Sequence, residues 1–225
     1  MQWNIGIAAL VGACIGSIPM VYGVGYLWGI ADIRRVGRMG TEEENEARYN
    51  GVLALYGHAG LTPAFVLALL DALKGASAAW VGFMLTQQFT GAIVATMFAQ
   101  FFHATNPWML YTSETGRRWL GGRGVPLVMG AFLVINPVPI GTFIAVWLTA
   151  YFILHRHPVV GNVGGAIGTI LLVFSAPEMF LTMFMRLPIE AITQFRVSVF
   201  LIMMHIIIRH LHPIRELMSQ TRDEF

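Results

Sequence analysis

Long apolar stretches separated by short polar ones run along the whole chain, and several approach the twenty or so apolar residues that a helix needs to cross a bilayer. The pattern predicts seven helices, at about 5–29, 62–86, 89–102, 125–135, 139–154, 161–183 and 188–209. The fourth is short, and its first turns can take in Trp119 and Leu120. Pro-Val-Pro at 137–139 separates it from the fifth. Thr62 followed by Pro63 reads as a helix start, with the threonine as N-cap and the proline in the first turn. No internal repeat and no low-complexity tract interrupts the pattern, so residues 1–225 are read as a single membrane domain.

Composition turns this pattern into a class. Hydrophobic residues make up 56% of the chain and charged residues 12%, with a mean hydropathy of +0.65, whereas soluble domains carry roughly a quarter charged residues. Spans of this length satisfy their own backbone groups as helices, so the expectation is an all-α integral membrane protein. The net charge of +2 is too small to indicate a nucleic-acid partner. A single cysteine, Cys14, excludes an intrachain disulfide. No Lys or Arg stands in residues 1–4, so the first helix is expected to stay in the mature protein as a span.

The positions of the basic residues orient the bundle. With seven spans, Arg34, Arg35, Arg38, Arg48, Arg117, Arg118, Arg123, Arg156, Arg209, Arg215 and Arg222 fall on one side, Arg186 on the other, and Lys74 and Arg196 inside spans. The excess of positive charge predicts a seven-transmembrane-helix bundle with the N-terminus outside and the C-terminus in the cytoplasm, in the cell membrane. Small residues four apart, Gly12 with Gly16, Gly161 with Gly165 and Gly164 with Gly168, predict close helix packing within the bundle rather than a dimer interface.

Polar residues gather on the predicted cytoplasmic side. The stretch 116–125 packs three arginines and four glycines between apolar segments. Glycines let successive N–H groups converge on an anion, arginines add charge, and a helix N-terminus follows at Val125. A topology-fixing basic loop is the plainer reading of the same residues. Asp71 and Lys74, three apart on one helix face, can pair inside the membrane, and ionisable groups at that depth are functional candidates. Two further clusters follow, His103 to Gly124 with Asn106, and Arg209, His210, His212 and Arg215. A histidine in the last cluster is either a proton-transfer group or an interfacial residue. His205 and His212 are too few and too loosely placed for a metal site, and none is expected. Basic, glycine-rich loops beside apolar helices suit a ligand with a phosphate head and a hydrocarbon tail.

These residues resemble a known family, the bacterial acylphosphate-dependent glycerol-3-phosphate acyltransferases of the PlsY type. Gly16-Ser17-Ile18-Pro19 is similar to the family's first-helix Gly-Ser-Ile-Pro, and Asp32-Ile33-Arg34 to its Asp-Ile-Arg loop. Leu70-Asp71-Ala72-Leu73-Lys74-Gly75 matches Leu-Asp-x-Leu-Lys-Gly. Gly121-Gly122-Arg123-Gly124-Val125 resembles Gly-Gly-Lys-Gly-Val, and Arg209-His210 with Ile214-Arg215 resembles the Arg-His and Ile-Arg pairs at the family's end. The resemblance implies transfer of an acyl group from acyl phosphate to the 1-hydroxyl of glycerol 3-phosphate in phospholipid synthesis, with no metal, no cofactor and no acyl-CoA. It implies His210, Asp71, Lys74 and Asn45 as catalytic candidates. For substrate and phosphate it implies Ser17, Arg48, His103, Gly121, Gly122, Arg123, Gly124 and Arg209.

The chain departs from the family pattern in several places. Glu42-Glu43-Glu44 stands where the family has small and hydroxyl residues, Asn162 and Val159 stand at two serine positions, and segments 38–62 and 104–120 read as insertions. Two readings therefore stand at this point. One is an acyltransferase whose partners are its two substrates and membrane lipids. The other is a catalytically inactive family member acting as a structural, lipid-contacting or pigment-contacting subunit among other membrane subunits.

Overall fold

The computed structural model describes residues 2–30, 51–113, 116–119, 122–154 and 156–223. Packing divides the chain into two compact units, Met1–Ala131 and Phe132–Phe225. The first holds α1 (Gln2–Ser17), α2 (Met20–Leu27), α3 (Val52–Ala59), α4 (Leu61–Thr86) and α5 (Phe89–Ala104), then a short 3-10 turn and a β-hairpin. Helix α6 (Val125–Ile135) starts in the first unit and ends in the second. The second unit continues with α7 (Val138–Thr149), a π-helical turn (Ala150–Leu154), α8 (Pro158–Ser175), α9 (Glu178–Met183) and α10 (Ile192–Asp223). Among the described residues, four segments are long and apolar enough to cross a membrane, Trp3–Leu27, Leu61–Thr86, Pro158–Ser175 and Ile192–Arg215, and Val125–Ile135 and Val138–Leu154 are shorter apolar helices.

Several expectations shift in detail. The first predicted span is two helices, because Pro19 has no N–H to continue the ladder of α1. The sixth divides likewise at Ala176-Pro177. Thr62 is not an N-cap: α4 begins at Leu61 behind Gly60, whose φ of 84° is a left-handed value that glycine adopts without strain. Trp119 belongs to no helix; Gly116–Trp119 pairs antiparallel with Leu110–Ser113 in a two-stranded ribbon. The last helix runs on through Pro213 to Asp223.

Small residues set the packing in each unit. In the first, Gly12 and Gly16 on α1 face the backbone of Ala95 and Ala99 on α5, and Gly75 and Gly130 bring α4 and α6 together over Leu127 and Ala72. In the second, Gly161, Gly164, Gly165 and Gly168 on α8 face Trp147, Ala150, Phe143 and Val146. The spaced glycines thus serve packing within each unit, which lets apolar helices gain dispersion contacts where no hydrophobic drive exists between them in lipid. A buried apolar cluster of Val21, Val24, Leu55, Ala64, Leu67 and Met109 joins α2, α3 and α4. Phe132, Leu181, Phe195, Ile202, Met203 and Ile206 are fully buried in the second unit.

Helix ends in the second unit are closed by side chains. Arg186 donates from its backbone N–H to Ile135 O and from its guanidinium to Leu133 O, at 2.9 Å each. Arg196, placed by the sequence pattern inside a span, donates to Val173 O at 3.3 Å and Ala176 O at 2.7 Å at the end of α8. Both put a cation at the negative end of a helix and satisfy carbonyls that have no helical donor.

A Cβ added at Gly75 or Gly130 would meet backbone atoms of the facing helix, which cannot rotate away. Gly75→Ala and Gly130→Ala are expected to lower the unfolding free energy by about 1–3 kcal/mol each. Gly6→Ala, where nothing lies within 4 Å of an added Cβ, is expected to cause no loss. Unfolding of the purified variants in one detergent reads the difference.

Candidate functional site

The site begins with the break between α1 and α2. With no N–H at Pro19 and the helix interrupted, the carbonyls of Gly16, Ser17 and Ile18 lose helical donors, Ile18 O keeping only Met20 N–H at 3.0 Å, and a carbonyl left unpaired away from water is costly. Two side chains from distant elements take them. Lys74 Nζ on α4 donates to Gly16 O at 3.0 Å and to Ile18 O at 2.7 Å. Asn106, just beyond α5, donates from Nδ2 to Ser17 O at 3.0 Å, while its Oδ1 accepts from Trp108 N–H at 3.0 Å and so fixes the orientation of the amide. Lysine also suits this place because its charge sits at the negative end of α1.

Lys74 holds a second group of residues together. Its Nζ lies 3.4 Å from His103 Nδ1 on α5. An ammonium has donors only, so this contact makes Nδ1 the acceptor and leaves a neutral His103 protonated on Nε2. Asp71, one turn before Lys74, lies 4.0 Å from Nζ through Oδ1 and 3.8 Å from His103 Nε2 through Oδ2. All three side chains are buried. The predicted pairing of Asp71 with Lys74 is present at ion-pair distance but without a hydrogen bond.

A glycine loop closes over this group. Gly124 has a φ of 79°, which admits glycine most readily, and α6 starts directly behind it, with Val128 N–H donating to Gly124 O at 3.0 Å. Gly122 lies so close to His103 that a Cβ there would run into Nε2. A Cβ on Gly51, at the start of α3, would lie 3.9 Å from Gly122 Cα. The result is a small pocket, part of it open to the outside. One wall is apolar, from Ile18, Pro19, Met20, Val21, Leu67 and Met109, and the polar side is Asp71, His103 and Asn106 with the two glycines Gly51 and Gly122.

Of the residues singled out in the sequence, Ser17, Asp71, Lys74, His103, Gly122 and Gly124 thus come together in the first unit. Arg123 lies half-buried on the same loop. Ser17 contributes its backbone carbonyl to Asn106, and its hydroxyl donates to Ala13 O at 2.8 Å within α1. Asn45, Arg48 and Gly121 lie outside the described residues. Arg209 and His210 belong to the second unit, on α10.

There His210 is fully buried, with Nδ1 2.7 Å from Ile206 O and Nε2 3.0 Å from Asn162 Nδ2. Trp147 Nε1 donates to Asn162 Oδ1 at 2.9 Å, which turns the amide NH2 toward the histidine. A neutral His210 with its proton on Nδ1 satisfies every atom in this chain of bonds. Sequence reasoning missed Asn162 and Trp147 as its partners. It also missed Gln100, which is buried on α5 so close to Gly124 that a Cβ there would lie 3.3 Å from its Cγ. The signal for both amides was an uncharged polar residue inside an apolar run.

The family model for glycerol-3-phosphate acyltransferase matches residues 6–220. A glycerol-3-phosphate acyltransferase of Rhizobium etli (strain CIAT 652) is 32% identical over 158 residues, which is 68% of this chain and 68% of that protein. One from Synechococcus sp. (strain JA-3-3Ab) is 34% identical over 143 residues, 63% of this chain and 61% of its own. The fold is similar to the crystal structure of PlsY, an integral membrane glycerol 3-phosphate acyltransferase, in its glycerol 3-phosphate form. The TM-score is 0.68 and the identity 18%, over 96% of this chain and 92% of that one. The apolar helices and this likeness make it a multi-pass bacterial membrane protein. On the family match over nearly its whole length, the chain belongs to the glycerol-3-phosphate acyltransferase family.

Proposed function

We propose that the protein transfers an acyl group from acyl phosphate to the 1-hydroxyl of glycerol 3-phosphate and releases the lysophosphatidic acid to the membrane. The observation that carries this reading is the convergence of the Gly122–Gly124 loop, His103 and the Asp71–Lys74 pair on one pocket, in a chain of this family. Arg123 and the backbone N–H groups of the loop hold a phosphate ahead of the N-terminus of α6. The family resemblance adds Asn45, Arg48, Gly121 and Arg209 as candidates.

An acyl phosphate is a mixed anhydride and already activated. The acceptor oxygen adds to the carbonyl carbon, the bond from that carbon to the phosphate oxygen breaks, and inorganic phosphate leaves and takes up the hydroxyl proton. Such a step needs positioning and charge stabilisation rather than a protein nucleophile, a metal or a cofactor. Asp71 and Lys74 set the local charge beneath the loop. We assign His210 to holding α8 against α10 instead of to proton transfer, because both of its ring nitrogens are engaged.

The reading includes seven spans, an outside N-terminus and a cytoplasmic C-terminus, supported by the arginine distribution and by a helix order that follows the seven predicted stretches. Reporter fusions test it. A fluorescent protein at the C-terminus is expected to fluoresce and alkaline phosphatase there to be inactive; an active phosphatase at the C-terminus contradicts the orientation.

Purified protein given acyl phosphate and labelled glycerol 3-phosphate is expected to form labelled lysophosphatidic acid. Arg123→Ala should lower kcat/KM by roughly a hundredfold, the scale of losing one charge-stabilising donor, and Arg123→Lys should restore part of it. A wild-type protein that forms no product contradicts the reading. Lys74→Met, which strands the carbonyl of Gly16 and leaves that of Ile18 with Met20 N–H alone, should lower stability by about 1–3 kcal/mol and reduce turnover as well, measured by unfolding and by the same assay.

A further inference from the structure

An ammonium has three protons to donate, and those of Lys74 are all committed, to Gly16 O, Ile18 O and His103 Nδ1. The carboxylate of Asp71 receives none of them. Its Oδ1, 4.0 Å from Nζ, has no hydrogen-bond partner among the described residues, although Asp71 is only 4% exposed. A carboxylate oxygen removed from water without a donor is unfavourable, and Asp71 is one of the residues that line the pocket. The missing donor is therefore supplied by whatever fills that pocket.

The chemistry of the place narrows the donor. A phosphate oxygen is anionic and would be repelled by the carboxylate at contact distance. An acyl chain has no donor at all. A second cation would sit beside the ammonium of Lys74, against like charge. A hydroxyl is neutral and donates one proton, and it suits a pocket whose remaining wall is apolar. The reacting hydroxyl gives its proton to the leaving phosphate, so the hydroxyl that goes to Asp71 is the one that does not react.

Resting on the functional reading above, we infer that Asp71 accepts a hydrogen bond from the non-reacting hydroxyl of the polyol phosphate acceptor, and that this bond selects a polyol phosphate over a simple alcohol phosphate. Asp71 is then a specificity residue in contact with substrate, distinct from the groups that hold phosphate.

Two acceptors separate the possibilities, glycerol 3-phosphate and 3-hydroxypropyl phosphate, which keeps the reacting hydroxyl and the phosphate and lacks only the middle hydroxyl. Calorimetric binding to the detergent-solubilised full chain is expected to favour glycerol 3-phosphate by about tenfold or more, the scale of one hydrogen bond to a charged group. In Asp71→Ala the ratio is expected to fall to near one, with the affinity for 3-hydroxypropyl phosphate little changed. In Asp71→Asn, which keeps the shape of the side chain, it is expected to fall several-fold. Equal binding of the two compounds by the wild type overturns the inference without any variant, and so does an unchanged ratio in either variant. A merely structural role would lower both affinities together and leave the ratio alone. Acyl transfer to glycerol 3-phosphate with equal affinities overturns the role of Asp71 only; no binding of glycerol 3-phosphate by the wild type overturns the functional reading and this inference with it.

Discussion

The ammonium of Lys74 holds the break in the first apolar segment, and the first unit is arranged around that contact. Pro19 ends one helix and starts another, a break that takes the helical donors from the carbonyls of Gly16, Ser17 and Ile18 and leaves the last with Met20 N–H alone. Lys74 takes two of them and Asn106 the third. The segment 18–21 that follows the break forms an apolar wall of the pocket, so the same bonds that stabilise the break also place the wall opposite Asp71 and His103. A proline break inside an apolar segment is tolerable only where other groups satisfy the freed backbone, and here those groups also form the site.

The contact has a second consequence, which follows from counting protons. Because Lys74 donates to two carbonyls and to His103, its partner in sequence, Asp71, is left with electrostatic attraction at 4.0 Å and no hydrogen bond. A pair serving stability alone would gain by closing that distance, since a charge-assisted hydrogen bond is roughly twice as strong as a neutral one. The second unit shows the opposite arrangement. Trp147, Asn162 and His210 form a buried chain in which each polar atom on the path has its match. Completed bonds hold helices together, whereas an incomplete one facing a pocket is where a ligand contributes.

Much of this was legible in the sequence. Apolar period and length located most helices of both units within a few residues, though not α3 (Val52–Ala59) or the continuation of α10 from 209 to Asp223, and the spaced glycines correctly announced close packing, because both depend on local composition. The pairing of Asp71 with Lys74 follows from helix geometry alone. What was not legible depends on partners far apart in the chain. Nothing near Lys74 says that it reaches back to Gly16 and Ile18, or that Asn162 lies beside His210. The ribbon 110–119 was hidden because its arginines and glycines read as a loop, and Gly60 displaced Thr62 as the helix start because a left-handed glycine can begin a helix with no side-chain cap.

The central claim is that the Lys74 clamp builds a pocket whose open carboxylate awaits a hydroxyl of the acceptor. A structure determined with glycerol 3-phosphate bound tests it most directly. The account predicts ligand density in the pocket between Gly122 and Asp71, with a hydroxyl oxygen within about 3 Å of Asp71 Oδ1 and Lys74 still on the carbonyls of Gly16 and Ile18. Glycerol 3-phosphate bound elsewhere, or bound in this pocket with its phosphate against Asp71, would contradict it.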